Sequence, residues 1–451
     1  MSELLERLIQ ESMNAPVPDV TARDIWPLML PRKADVFVGM RRSGKTFAMF
    51  DTMQRLAAQG VARGRMLYLN LDDDRIVDPC VSFLSDALET FHRLSPQARE
   101  IGAHLFFDEI QVVPQWERFA RRVLDTEKAQ LFVGGSSSKL LSVEVATTFR
   151  GRGFVTEVLP YGFREYARAC AAEPHGPVAY TQVTELEALA DRYLMEGGFP
   201  ETIRMSTIVR AQTLQGYVEM VAMRDVIERH GVENVAALKR LIGGVFSANA
   251  GPFSVSSFVG VLRSQGFKTT KVTLMNYLDH LADAYLFFLV PLDSRSEKAR
   301  MVNPRKVYAV DPGLALAMYS GGSVNRGALL ENAVYLELRR RLGALGGSSI
   351  AYHRTESGRE IDFVVDAPGS GAREFYQACW SLAEPGAQER ETAAVAEALQ
   401  THPGSSVTIV TRLESGELQT PAGNVRLVPF WQWALDSRHA GSRYSSYNRK
   451  Q

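Results

Sequence analysis

The stretch that most constrains the fold is Gly39-Met40-Arg41-Arg42-Ser43-Gly44-Lys45-Thr46. It follows the apolar run Val36-Phe37-Val38 and leads into Phe47-Ala48-Met49-Phe50-Asp51-Thr52-Met53. The order is strand, glycine-framed loop, helix, with the spacing G-x-x-x-x-G-K-[ST]. A phosphate chain needs several backbone N–H groups aimed at one point, and a tight loop opening a helix supplies them. Gly39 and Gly44 let the loop wrap phosphates without a Cβ in the way. On this spacing Arg41, Arg42 and Ser43 line the loop, Lys45 reaches the β- and γ-phosphates, and the Thr46 hydroxyl holds Mg²⁺. The stretch predicts a site for ATP with Mg²⁺.

Composition sets looser bounds. A chain of 451 residues suggests about two to four domains. The formal net charge is zero, so any nucleic-acid contact must come from a local basic patch. Cys80, Cys170 and Cys379 are widely spaced and show no metal-ligand pattern. They read as reduced thiols of a cytoplasmic protein. No signal peptide is legible ahead of the first domain, and no apolar run approaches a membrane span, so no membrane role is expected.

In chain order, residues 1–15 predict a short amphipathic helix, with Leu4, Leu5, Leu8 and Ile9 on one face. Arg65–Leu71 predicts a strand that ends in Asp72-Asp73-Asp74. His104-Leu105-Phe106-Phe107-Asp108-Glu109 is an apolar run that stops at two carboxylates. A strand buried in a parallel sheet delivers its last residues to the carboxyl edge, where the phosphate loop also sits. Asp108 is therefore expected in the Mg²⁺ shell, and Glu109 as the group that polarises the attacking water. Gln130–Ser138 is the next strand, ending in hydroxyls at the same edge. One of Ser136–Ser138, with Ser137 at the centre, is placed to sense the γ-phosphate or orient the water; helix capping is the other reading. Arg150 or Arg152 is positioned to act as an arginine finger toward a neighbouring subunit. A surface arginine pair is the alternative.

From Tyr161 to about Arg229 the pattern is helical, a lid interrupted by the turn Gly197-Gly198-Phe199-Pro200-Glu201. Residues 235–312 read as three helices and a two-stranded ribbon, the layout of a winged helix. Lys268, Lys271, Arg295, Lys298 and Arg300 form a basic cluster there, expected to face DNA phosphates. A role in oligomer or domain contacts is the other reading. The segment beyond about Gly327 reads as an α/β unit, with strands at Ile350–Arg354, Glu360–Val365, Glu374–Trp380 and Ser406–Thr411 and a helix over Gln388–Gln400. The tail from Ser437 reads as disordered. The predicted domains are 1–160, 161–234, 235–326 and 327–436, followed by the tail 437–451.

Val36–Thr46, Phe106–Gln111, Gly135–Ser138, Gly197–Glu201, Lys306–Gly313, Leu330–Asn332 and Glu360–Phe363 together carry a resemblance over almost the whole chain. It is similar to bacterial and archaeal AAA-type ATPases that join a P-loop domain to a winged helix and a restriction-nuclease-like C-terminal domain. The fold this implies is α/β: a P-loop core with a helical lid, a winged helix and a C-terminal α/β nuclease-like domain. The nuclease-like fold uses an acidic residue on a helix, an Asp, then Glu-x-Lys on the next strand, to bind Mg²⁺ and activate water. Glu331 and Asp362 match the first two, whereas Gln377-Ala378-Cys379 stands in place of Glu-x-Lys. Gln377 can offer a carbonyl to a metal, but Cys379 cannot replace the lysine's charge. The domain is therefore expected to lack nuclease activity. The resemblance implies an oligomeric ATPase, a hexameric ring among its forms, that translocates on or remodels DNA, branched junctions included. The alternative is a nucleotide-gated signalling ATPase acting on protein partners.

Overall fold

The computed structural model describes residues 2–135, 151–319, 321–343, 350–366, 372–383 and 386–436. It divides into two compact units, Met1–Leu159 and Pro160–Gln451.

The first unit contains α1 (Ser2–Asn14), β1 (Ala34–Val38), α2 (Lys45–Ala58), β2 (Met66–Asn70), α3 (Val81–Leu94), α4 (Pro96–Glu100), β3 (Ala103–Asp108), α5 (Trp116–Thr126), β4 (Ala129–Gly135) and β5 (Gly153–Glu157). Its strands form one sheet in the order β2-β3-β4-β1-β5, every pair parallel. Every residue of β1 is buried, as expected for a strand covered on both faces, and its one charged residue, Asp35, accepts the Leu28 N–H and the Gln130 side-chain amide. Phe106 and Phe132 stack across β3 and β4 with centroids 4.3 Å apart. Phe37, Met49, Met53 and Leu56 of β1 and α2 share that core. Because all the strands run one way, Val38, Asp108 and Gly135 end at the same edge.

The second unit begins with α6 (Phe163–Ala169), α7 (Tyr180–Glu196) and α8 (Thr207–Val221), which continues as a π-helical turn over Ala222–Glu228. Then come α9 (Val235–Ser247), β6 (Pro252–Phe253), α10 (Val255–Ser264), α11 (Lys271–Asp283), β7 (Phe287–Val290), α12 (Glu297–Val302) and β8 (Arg305–Ala309). Asn234, Ser254 and Thr270 each cap the helix that follows through a side-chain oxygen, the role for which short polar side chains are favoured. The strands form a three-stranded antiparallel sheet, β6-β8-β7. The sequence reads as three helices and a two-stranded ribbon, with no helix expected between β7 and β8. The structure instead has α12 there, opened by Ser296, whose hydroxyl accepts the Ala299 N–H. A helix this short is below the length at which periodicity is legible.

The chain continues through α13 (Pro312–Met318), α14 (Arg326–Leu342), β9 (Ile350–Arg354), β10 (Glu360–Asp366), β11 (Arg373–Cys379), α15 (Ala387–Thr401), β12 (Ser406–Thr411), β13 (Gly416–Thr420), β14 (Gly423–Pro429) and α16 (Phe430–Leu435). The strands make a mixed six-stranded sheet, β13-β14-β12-β11-β10-β9. Val395, Ala398 and Leu399 of α15 pack on Ile361, Phe375 and Ile409. The β13–β14 hairpin and α16 extend the unit beyond the elements that the sequence predicted.

Two motifs of the second unit meet at the end of α7. Asp311 caps α13 by accepting the Leu314 N–H at 2.9 Å, and its other oxygen accepts the Gly198 N–H at 2.6 Å. Gly197 has φ 77°, and a Cβ there would lie 2.0 Å from Asp311 Oδ1; one on Gly313 would lie 2.2 Å from the Glu196 carbonyl. The Gly-Gly turn and the Asp-Pro-Gly turn are thus two halves of one joint. Strand β8 is gripped from the other side by α14: the Asn332 side-chain amide pairs with both backbone groups of Ala309 at 3.0 Å.

Candidate functional site

The loop between β1 and α2 has the backbone that its glycines permit. Gly39 has φ 153° and Gly44 φ 99°. A Cβ on Gly39 would come within 2.3 Å of the Val158 carbonyl oxygen, so only glycine fits this position. Lys45, 5% exposed, turns its ammonium back onto the loop and donates to the carbonyls of Gly39 at 3.0 Å and Met40 at 2.9 Å. Arg41 is half-buried, and the exposed Arg42 adopts φ 68°. Ser43 Oγ is buried with no hydrogen-bond partner among the described residues. A buried hydroxyl without a partner inside a loop opening a helix suits a ligand rich in oxygen acceptors.

Behind the loop, Arg23 is 4% exposed and donates to the carbonyls of Ser43 at 3.3 Å and Leu159 at 2.7 Å. Its own N–H donates to Asp51 at 3.1 Å. Arg23 thereby ties the outside of the loop to α2 and to the end of the strand beyond it. Sequence reasoning missed it, because residues 16–33 show no periodicity.

Thr46 Oγ1 donates to Asp108 Oδ2 at 2.5 Å, and Tyr68 donates to the same oxygen at 3.3 Å. Strand β4 lies between β3, which ends in Asp108, and β1, which leads through the loop to Thr46, and Gly134 makes the crossing possible. A Cβ on Gly134 would lie 2.8 Å from Asp108 Oδ1 and 2.4 Å from Met49 Cε. Burial pushes the Asp108 carboxyl up from its ordinary range, against the pull of Thr46's hydrogen bond. Burial, and then the charge of Asp108, push the Tyr68 phenol well above its own. A hydroxyl and a carboxylate oxygen this close form a hard-oxygen donor set of the kind Mg²⁺ takes alongside phosphates. Thr46 and Asp108 fit that ion, and the loop fits the nucleotide.

Glu109 follows with φ 50°, a conformation that costs a non-glycine residue roughly 1–3 kcal/mol and that clusters at working sites. Its carboxylate accepts the side-chain N–H of Gln111, and its backbone N–H donates to Asp108 Oδ1 at 3.1 Å. The structure thus brings Gly39, Lys45, Thr46, Asp108 and Glu109 to one edge. Arg152 is elsewhere. Its carbonyl accepts the Ala34 N–H at the start of β1, so it stands at the amino edge, the length of the sheet away from the loop. Its guanidinium pairs with Asp125. Ser137 and Arg150 lie outside the described residues, as does the tail from Ser437.

In the second unit Lys268, Lys271, Arg295, Lys298 and Arg300 are all exposed. Lys271 opens α11, Lys268 precedes it, and the other three lie in and beside α12. Val261, Val272 and Met275 on α10 and α11 are also exposed, at 48%, 67% and 44%. Glu331 and Asp362, which match the nuclease-like pattern, come together on Lys306, with Gln377 beside them, but its Oε1 accepts the Asp362 N–H at 3.0 Å. Cys379 is buried and Cys80 exposed, all three thiols being free. Among the described residues no helix is long and apolar enough to cross a membrane.

The AAA domain family matches residues 31–167, and two domains of unknown function, DUF8612 and DUF4143, match residues 187–325 and 326–372. The uncharacterised protein MJ1544 of Methanocaldococcus jannaschii is 31% identical over 440 residues, covering 96% of this chain and 95% of its own. An uncharacterised protein of Haemophilus influenzae is 28% identical over 332 residues, covering 73% and 78%. Among solved structures, the Walker-type ATPase PABY2304 of Pyrococcus abyssi aligns with a TM-score of 0.40 and 12% identity, over 70% of this chain and 95% of that one.

Proposed function

This chain is an AAA-type ATPase and belongs to one family with the Methanocaldococcus jannaschii protein MJ1544, and from that premise we propose that it hydrolyses ATP as an oligomer that translocates on or remodels DNA. The observation that carries the ATPase half is the Thr46 hydroxyl on the Asp108 carboxylate, 2.5 Å apart across an intervening strand. Lys45 is freed from its two loop carbonyls to take the β- and γ-phosphates, and the loop N–H groups wrap the chain between them. Thr46 and Asp108 would hold Mg²⁺, which would supply neutralising charge for the phosphate oxygens. Glu109 orients the water and takes its proton, aimed by its backbone conformation and by Gln111. Ser137 serves as the sensor. Arg150 or Arg152 serves a neighbouring subunit's phosphates, a role consistent with Arg152 standing far from its own loop.

The DNA half rests on the second unit. Helices α9, α10 and α11, with β6-β8-β7 and the segment around α12 as the wing, follow the order of a winged helix. The five exposed cations on it suit a phosphate backbone, with affinity that is electrostatic and largely indifferent to sequence. The lid, the nuclease-like reading of the C-terminal sheet and the boundaries at 161, 235 and 327 belong to the same proposal. One observation favours the second reading, a nucleotide-gated switch on protein partners. Val261, Val272 and Met275 expose apolar surface on α10 and α11 that phosphates do not need. Steady-state ATP turnover with and without duplex or junction DNA separates the two. A motor speeds up with DNA, and a switch does not.

A further inference from the structure

Strand β8, which belongs to the three-stranded sheet, delivers one side chain to the C-terminal sheet. Lys306 is 3% exposed. Its ammonium lies 2.7 Å from Glu331 Oε1, 2.8 Å from Glu360 Oε1 and 3.1 Å from Asp362 Oδ1. An ammonium has three protons and no lone pair; this one donates to Glu331 and Asp362 and pairs by charge with Glu360. The spacings are those of charge-assisted hydrogen bonds, longer than the oxygen contacts of Mg²⁺ or Ca²⁺.

The oxygens around it are also engaged. Asp362 Oδ2 accepts the Ala378 N–H at 2.9 Å. Glu331 Oε1 accepts the Tyr308 hydroxyl at 2.7 Å as well. Gln377 Oε1, the carbonyl that a metal would borrow, is taken by the Asp362 backbone. Carboxylates gathered in a buried space need a cation among them, and here the chain carries its own.

We propose that Lys306 is the resident cation of this cluster, a tethered ammonium in the place a divalent metal would take, so that the C-terminal domain works without metal and holds β8 by charge. Burial pulls the lysine toward neutrality, but Asp362, Glu331 and Glu360 outweigh it and keep the ammonium charged. Burial and the charge of Asp362 push Glu331 well up, because one ammonium cannot offset every carboxylate around it. The ammonium enters from a strand outside the C-terminal sheet. The carboxylates that would serve chemistry in a metallonuclease here fasten the wing strand to the sheet domain.

The test is Mn²⁺ alone, titrated into the nucleotide-free full chain and followed by the electron paramagnetic resonance of the free ion. Wild type and Asp362→Asn are expected to take up the same amount of Mn²⁺. Lys306→Ala is expected to gain a site at least tenfold tighter than any in wild type, and adding Asp362→Asn should abolish it. Lys306→Arg, which keeps the charge, should gain none. Uptake by wild type that Asp362→Asn removes would overturn the proposal, because the lysine would then be yielding to a metal. A folded Lys306→Ala chain with no Asp362-dependent uptake would overturn it equally. If Lys306→Ala does not fold, the comparison of wild type with Asp362→Asn decides alone.

Discussion

Thr46 and Asp108 sit on elements separated by a whole strand, yet their side-chain oxygens are 2.5 Å apart. The gap is bridged over Gly134, whose missing side chain leaves room for Asp108 and Met49. Gly134→Ala should push Asp108 off Thr46 and lower the apparent Mg²⁺ affinity of turnover on the order of tenfold, as loss of a supporting group around a metal does. The check is the Mg²⁺ dependence of ATP hydrolysis. An unchanged profile would remove Gly134 from the site.

Lys45→Ala and Glu109→Gln should fail differently. The first loses a charged phosphate contact of about 1.5–3 kcal/mol and so should weaken ATP binding roughly 10- to 100-fold. The second keeps the contacts and removes the base, so binding should persist while turnover falls on the order of 10²- to 10⁴-fold. Equilibrium binding of a fluorescent nucleotide beside steady-state hydrolysis distinguishes them. Unaltered hydrolysis in Glu109→Gln would sink the assignment of that residue.

Arg152 pairs with Asp125 at the edge remote from its own loop. If it serves a neighbour, Arg152→Ala should be inactive alone and regain activity when mixed with Lys45→Ala, because hybrid interfaces restore intact half-sites. Hybrids of verified assembly that stay inactive would exclude a shared site for this arginine; the same experiment applies to Arg150.

Neutralising Arg295, Lys298 and Arg300 together should weaken DNA binding and flatten its salt dependence, by roughly one unit of logarithmic slope per lost contact. Turnover without DNA should survive. The measurement is affinity across a salt series, wild type against triple variant. Superimposed curves would leave the protein-directed switch as the better reading.

Asp311 gives a stability prediction with a definite sign. Burial pushes its carboxyl up to about 6, against the backbone N–H of Gly198 and Leu314. Between about 3.9 and that value the folded chain keeps a proton that the unfolded chain has released. The stabilisation from this group is therefore full below about pH 4 and lost as pH rises through about 6. Asp311→Asn cannot titrate and leaves one of two N–H groups without its acceptor, at about 1–3 kcal/mol. Its cost relative to wild type should be greatest near pH 4 and shrink by up to ~3 kcal/mol toward pH 7. Denaturant midpoints at both pH values test this. A cost that grows with pH contradicts the raised carboxyl.

The loop at Gly39–Thr46 and the strand end at Asp108-Glu109 were legible because each is local: glycines, an apolar run and a charge within a few residues. The nearness of Thr46 to Asp108 was an inference from parallel strands. Gly134's part in it depends on strand order, which no short stretch encodes. Arg23 acts through carbonyls of residues 20 and 136 positions away, from a segment with no period to read. Lys306 was visible only as the first residue of a stretch that carries the resemblance, since its partners Glu331 and Asp362 lie 25 and 56 positions downstream. Helix α12 escaped because it is too short to outweigh the turns around it, and the β13–β14 hairpin because no residue of β13 is buried and it shows little apolar alternation.

The joint between Gly197-Gly198 and Asp311-Pro312-Gly313 has a bearing on how such chains can diverge or be recombined. Hydrogen bonds to Asp311 and two contacts too close for any side chain unite segments 113 positions apart. A splice between relatives that takes one turn from each parent would set a foreign side chain against a carboxylate or a carbonyl that cannot retreat. The two turns must be inherited as a pair. Viable chimeras are therefore expected to have their crossovers outside the span from α7 to α13, or to exchange that span entire.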